Sequence, residues 1–231
     1  MYYTENEILK MCNEALENIG TFYQKGFVNY TGISSDTKRE YTEIVSEYVL
    51  QHLNEFLTTI PMISRKSSYD LVHNGIYREG SGRDEEIIAV KMFNRSEKDG
   101  YSYDHIGKII DYQIPLKSVR TDVAGKIDLL AFDGKELHVL ELKKPSSKET
   151  MFRCVLEGHT YLCTADKNKL LDDFKLPQDI KISTSPFVFK GSAQWKEWND
   201  DRPMLKKLMK KLDIKPYFIY ETDEGYEVTE S

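Results

Sequence analysis

Three residues near the middle of the chain stand where an apolar strand should exclude them. Asp128 closes the run Gly125-Lys126-Ile127-Asp128 ahead of the apolar segment Leu129 to Phe132, and Glu141 and Lys143 interrupt Val139-Leu140-Glu141-Leu142-Lys143-Lys144. Asp133-Gly134-Lys135 lies between them as a tight-turn signal, and Val, Ile, Leu and Phe dominate both flanks, so the stretch reads as a β-hairpin. Side chains alternate along a strand, which sets Val139, Glu141 and Lys143 on one face and Leu140 and Leu142 on the other. A buried carboxylate costs several kcal/mol unless it is paired or holds a metal. Asp128, Glu141 and Lys143 therefore compensate one another or share a cation. The acid-x-lysine triplet alone says little, since Asp36-Lys38, Asp133-Lys135, Asp173-Lys175, Asp179-Lys181 and Asp213-Lys215 repeat it in a chain that is 30% charged. Only Glu141-Leu142-Lys143 ends an apolar strand paired with a second acid-bearing one.

The elements around the hairpin follow from period and punctuation. Thr4 and Glu7 form a capping-box pattern before Ile8, Cys12, Ala15, Leu16 and Ile19, with Gly20 as the stop. Thr37 and Glu40 repeat it before the apolar stripe from Tyr41 to Phe56, which Pro61 closes. His52 on that stripe reads as a core or boundary histidine. Residues 64 to 82 are polar and glycine-bearing, a loop and boundary. The run from Arg83 to Asn94 suits helix or strand, and helix is preferred because Asp84, Glu85 and Glu86 fall in a first turn where acids complement the dipole. Ile109 to Leu116 reads as a strand. Pro145-Ser146-Ser147 stops the motif strand, and Ser146 with Glu149 reads as the cap of a helix to about Cys163. On that helix Phe152, Val155, Leu156 and His159 line a core. Glu149, Arg153, Glu157 and Tyr161 form another stripe, which reads first as an exposed ion-paired face and otherwise as a face turned toward the strand acids. Ile182 to Phe189 adds a strand, Gly191 to Leu212 a helix broken near Pro203, and Tyr217 to Val228 a closing hairpin.

At 231 residues the chain suffices for one domain with a sizeable core: an N-terminal helical part over 1–80 and an α/β core with C-terminal elements over 81–231, together one unit. No apolar run approaches the roughly 20 residues that span a bilayer. An acidic N-terminus without a signal-peptide pattern and three unpatterned cysteines predict a cytoplasmic protein with no membrane partner. A net charge of −6 excludes a protein coated in Lys and Arg, although local basic clusters still bind phosphate.

The order helix, strand, acid strand, acid-lysine strand, helix, strand resembles the PD-(D/E)xK nuclease superfamily over roughly residues 83 to 190. Gly125-Lys126-Ile127-Asp128 matches its Gly-x-x-Asp motif and Glu141-Leu142-Lys143 its acid-x-Lys motif. Glu157 and Tyr161 hold the spacing of a helical Gln-x-x-x-Tyr with Glu in place of Gln. Glu85 and Glu86 are both candidates for a Glu on the helix before the first core strand. The resemblance implies an α/β restriction-endonuclease-like core, a central mixed sheet flanked by helices with added N-terminal helices, and a Mg²⁺-dependent nuclease acting on DNA, with Mn²⁺ as a substitute metal and room for a homodimer. It assigns the metal to Asp128, Glu141 and the carbonyl of Leu142.

The chemistry is consistent with that assignment. Phosphodiester hydrolysis needs a nucleophilic water, charge stabilisation at phosphoryl oxygens and help for the leaving oxygen, all of which a hard cation held by carboxylates supplies. Lys143 on the same face would orient the water or stabilise developing charge, a nearby metal tending to lower its pKa. Lys117, Arg120 and Lys144 are the candidate nucleic-acid contacts. Lys206, Lys207, Lys210 and Lys211 read as a solvated helix face. Three rival readings remain: a structural ion pair among Asp128, Glu141 and Lys143, a catalytically inactive nucleic-acid-binding or complex-forming module, and a zinc or Cys/His nucleophile site among Cys154, His159 and Cys163, which lacks a fourth ligand.

Overall fold

Two apolar runs joined by Asp-Gly can satisfy their backbones only by folding onto each other, and the rest of the sheet grows from that hairpin. The computed structural model describes residues 2–80, 83–117 and 125–230. Strands β1 (Lys108–Pro115), β2 (Lys126–Phe132) and β3 (Glu136–Lys143) form an antiparallel meander; β4 (Lys181–Phe189) joins β3 in parallel, β5 (Tyr217–Thr222) joins β4 in parallel, and β6 (Gly225–Thr229) closes antiparallel. Spatial order equals chain order in this mixed six-stranded sheet. At the β2–β3 turn the Asp133 carboxylate accepts from the amides of Lys135 and Glu136 at 2.8 and 2.7 Å, and Gly134 takes a φ of +93°.

The helices are α1 (Glu5–Leu16), α2 (Tyr41–Gln51), α3 (Leu53–Thr58), α4 (Asp84–Asp99), α5 (Met151–Thr164), α6 (Lys167–Asp173), α7 (Ala193–Asn199) and α8 (Pro203–Lys211). Parallel neighbours need a crossover, and here α5 with α6 links β3 to β4 while α7 with α8 links β4 to β5. Alternation divides the strand side chains between two cores. Leu130, Leu137, Val139, Val188 and Phe218 share one with Ile8, Ile44, Val45, Phe152, Val155 and Leu205, so the helices within residues 1–80 pack into the same cluster as the sheet. Leu129, Ala131, Leu140, Leu142 and Phe187 face the other way, against Ile88, Met92 and Phe93 of α4. Each such buried Leu, Ile, Val, Met or Phe side chain contributes roughly 1.5–3 kcal/mol. Among the described residues no helix is long and apolar enough to cross a membrane.

Two helix starts differ from their sequence reading. The Thr4–Glu7 box forms at α1, with Thr4 N donating to Glu7 at 2.7 Å and Glu7 N to Thr4 Oγ1 at 3.3 Å. Thr37 and Glu40 make no such box: an antiparallel bridge between Ile33 and Glu40 closes a loop, and the Thr37 hydroxyl donates to Glu5 at 2.6 Å. Nor does Ser146 cap α5. Thr150 does, accepting from Arg153 N at 3.1 Å while its hydroxyl donates to Val28 O at 2.8 Å. Glu149 is drawn instead to Lys143. The helix read from Arg83 to Asn94 runs on to Asp99, where Gly100 at φ +69° ends it.

Candidate active site

The β2–β3 ladder pairs Phe132 with Leu137 through to Leu129 with Leu140. Where a next rung would stand, the Asp128 side chain takes over and its Oδ2 accepts from Leu142 N at 3.0 Å. Its other oxygen accepts from Gln113 Nε2 on β1, also at 3.0 Å. The sheet therefore parts at Asp128, and the gap opens into a cleft of about 280 Å³ lined by Asp128, Gln113, Lys144 and the first turn of α4. In that turn Glu85 accepts from Lys144 N at 3.0 Å, Asp84 pairs with Lys144 Nζ at 2.9 Å and Glu86 with Arg83 at 3.3 Å. The two α4 candidates are thus distinguished: Glu85 ties the helix to the end of the motif strand, and Glu86 stays within its own turn.

Behind the cleft lies a buried charge cluster. Lys143 Nζ stands 2.7 Å from Glu141, 2.9 Å from Glu149 and 3.2 Å from Glu157. Arg153 Nε lies 3.0 Å from Glu149 and 3.8 Å from Glu157, and the Tyr161 hydroxyl donates to Glu157 at 2.9 Å. Glu141 is only 4% exposed and Lys143 7%. The stripe of α5 that reads first as a solvated ion-paired face is turned inward, with Glu157 and Tyr161 each 7% exposed. Gly125 makes room for it, since a Cβ there would lie 2.0 Å from the Tyr161 hydroxyl.

Four acids, Asp128, Glu141, Glu149 and Glu157, surround two bases, Lys143 and Arg153, and the imbalance appears in their ionisation. Burial pushes the Asp128 carboxyl up to about 7 against the pull of Lys143, with Glu85 and Glu157 adding to the rise. Glu141 is raised well above the carboxylate range by burial and then by Asp128 and Glu157. Burial alone would lower Lys143, but Glu141, Glu157 and Asp128 hold it above its ordinary value. Tyr161 is raised by burial and by Glu157 and Glu141.

No protein-family model, curated protein or solved structure matches this chain.

Among the described residues no three His, Cys, Asp or Glu side chains stand ready to hold a metal. The donor chemistry nonetheless fits a hard divalent cation: the oxygens are carboxylate, acids outnumber bases, and burial with neighbouring acids raises the pKa values of Asp128 and Glu141, a rise that a bound cation would oppose. The three thiol and imidazole candidates do not converge on one point: His159 and Cys163 meet, and Cys154 lies elsewhere. Cys154 is buried beside Lys143, His159 Nε2 binds Phe56 O at 3.0 Å, and Cys163 Sγ lies 3.6 Å from that same nitrogen. His52 rests on Tyr48 with ring centres 4.4 Å apart. Lys144 reaches the cleft; the carbonyl of Lys117 accepts from Arg65 at 2.6 Å; Arg120 lies outside the described residues. On α8, Lys207, Lys210 and Lys211 are exposed and Lys206 lies over Trp198. Gln113 carries no sequence motif, whereas the inward contacts of Glu149 and Arg153 follow the second of the two readings that their stripe allows.

Proposed function

We propose that this protein is a Mg²⁺-dependent nuclease with a restriction-endonuclease-like core, cleaving DNA at the cleft where β2 and β3 part. The observation that carries the reading is the meeting of an open cleft lined by Asp128 with an acid-rich cluster around Lys143 directly behind it, where burial and neighbouring acids raise the pKa values of Asp128 and Glu141. Asp128, Glu141 and the carbonyl of Leu142 would hold the metal, with Mn²⁺ able to replace Mg²⁺. When bound, it supplies Lewis-acid charge to a phosphoryl oxygen and to water. Lys143, held charged by Glu141, Glu149 and Glu157, would act from behind the cleft, its ammonium stabilising charge that develops on the phosphate. Glu157 and Tyr161 set the position of that ammonium. Lys144, Lys117 and Arg120 would meet the nucleic-acid backbone.

One observation favours a second reading, a non-catalytic nucleic-acid-binding or complex-forming module with the same fold: Glu141 and Lys143 are almost fully buried and already joined to one another. Incubation of wild type, Asp128→Asn and Lys143→Met with linear and supercoiled DNA and with RNA, in Mg²⁺, Mn²⁺ and EDTA, separates the two. The nuclease reading expects metal-dependent cleavage by wild type alone. Binding of nucleic acid by all three proteins without cleavage assigns the module instead.

A further inference from the structure

We propose that Gln113 is a positioning residue for this site: its side chain fixes the orientation of the Asp128 carboxylate in the cleft, and β1 carries backbone strain to place it there. The inference rests on the reading of Asp128 as a cation ligand. Gln113 lies opposite Asp128, between the paired residues Tyr112 with Leu129 and Ile114 with Ile127, and donates to it at 3.0 Å. Its φ is +50°, a conformation in which an L side chain crowds its own backbone and which strands ordinarily avoid. Among the described residues it is the only non-glycine residue within a strand with such a φ. Glycine would meet that requirement at no steric cost, yet the position carries a long amide. Strain of this kind persists where the surroundings over-determine it, and it gathers at functional sites.

The local strand geometry points the same way. Upstream, the register between Ile109 and Asp111 gains an extra residue, an irregularity that re-aims the side chains beyond it. The result is a two-point hold, with Gln113 Nε2 on one Asp128 oxygen and Leu142 N on the other. Neutral donors fix the carboxylate plane while leaving each oxygen lone pairs to offer to a ligand in the cleft. Gln113 itself lines that cleft.

Two variants separate the amide from the strain. Gln113→Ala keeps the crowded backbone and loses the amide, whereas Gln113→Gly loses both. With the Gln113 hold gone, Asp128 swings and Leu142 N–H loses its acceptor. Its exchange with solvent, read by NMR, should quicken about ten-fold in both variants while the amides of Leu129 to Phe132 stay as they were. Mn²⁺ affinity should weaken about ten-fold in both, the scale typical of residues that orient a ligand, and Gln113→Gly should melt above Gln113→Ala. An unchanged Leu142 amide overturns the proposal, as does faster exchange along the whole of β2, which would mark Gln113 as a residue of the fold alone. If Leu142 quickens selectively but wild type binds no Mn²⁺, the positioning role stands and the metal reading of the site falls.

Discussion

The carboxylate of Glu157, on the helix after the motif strand, lies 3.2 Å from the ammonium of Lys143 at the end of that strand. Helix α5 and strand β3 are thereby joined through charge as well as packing, and Glu149, Arg153 and Tyr161 extend the contact. A buried cation among several acids is a costly arrangement, and its effects can be measured in the absence of any substrate.

Asp128→Asn should leave the metal-free protein about 1 kcal/mol more stable at pH 8, because it removes one of the mutually repelling acids. The new side chain can be satisfied, since its oxygen accepts from Leu142 N and its amide donates to Gln113 once that amide turns over. Stabilisation of wild type by Mg²⁺, expected from binding to the folded state alone, should vanish in the variant. Urea melts with and without Mg²⁺ measure both effects, and a variant that unfolds more easily would assign Asp128 to a structural ion pair.

Stability of the metal-free protein should depend on pH with a definite sign. Asp128 titrates near pH 4 in the unfolded chain and at about 7 when folded, so the folded state binds the extra proton between these values. Its contribution is therefore full below about pH 4 and is lost as pH rises through 7, a decline of roughly 2 kcal/mol after allowance for the partial exposure of the carboxyl. Denaturant melts of wild type and Asp128→Asn at pH 5 and pH 8 should show the decline in wild type to be the steeper. Parallel slopes would contradict the burial of this acid.

Lys143→Met leaves Glu141, Glu149 and Glu157 without their shared cation. Loss of one partner from a buried ionic group costs about 3–5 kcal/mol. The loss should shrink at pH 5, where the stranded acids take up protons. A loss below about 1 kcal/mol at pH 8 would indicate a solvated cluster.

Gly125→Ala tests how closely β2 and α5 approach. The added methyl would lie 2.0 Å from the Tyr161 hydroxyl and 2.5 Å from the ring carbon that bears it, so the ring must move and its hydrogen bond to Glu157 must break. Overpacking with loss of a charged hydrogen bond should cost about 2–4 kcal/mol. The near-ultraviolet circular dichroism of the tyrosines and a thermal melt report the change, and an unperturbed spectrum would place Tyr161 elsewhere.

What the sequence by itself determined was local. The Asp-Gly turn dictated the hairpin, and the two-residue period of a strand put Glu141 and Lys143 on one face whatever lay opposite. The 3.6-residue period likewise grouped Arg153, Glu157 and Tyr161, which Glu149 joins from just before the Thr150 cap, and α4 began where its three acids announced it. Only the tertiary structure decided which way the α5 stripe points, because a helix period says which residues share a face and nothing about what that face meets. It also decided which of Glu85 and Glu86 reaches the motif strand, one position on a helix being a turn of about 100°. Thr37 with Glu40 shows the converse: a spacing with local meaning lost to a bridge between Ile33 and Glu40. Gln113 was illegible for a further reason. Its role comes from a left-handed backbone that no side-chain pattern encodes and from an acid 15 residues away that only strand register brings opposite.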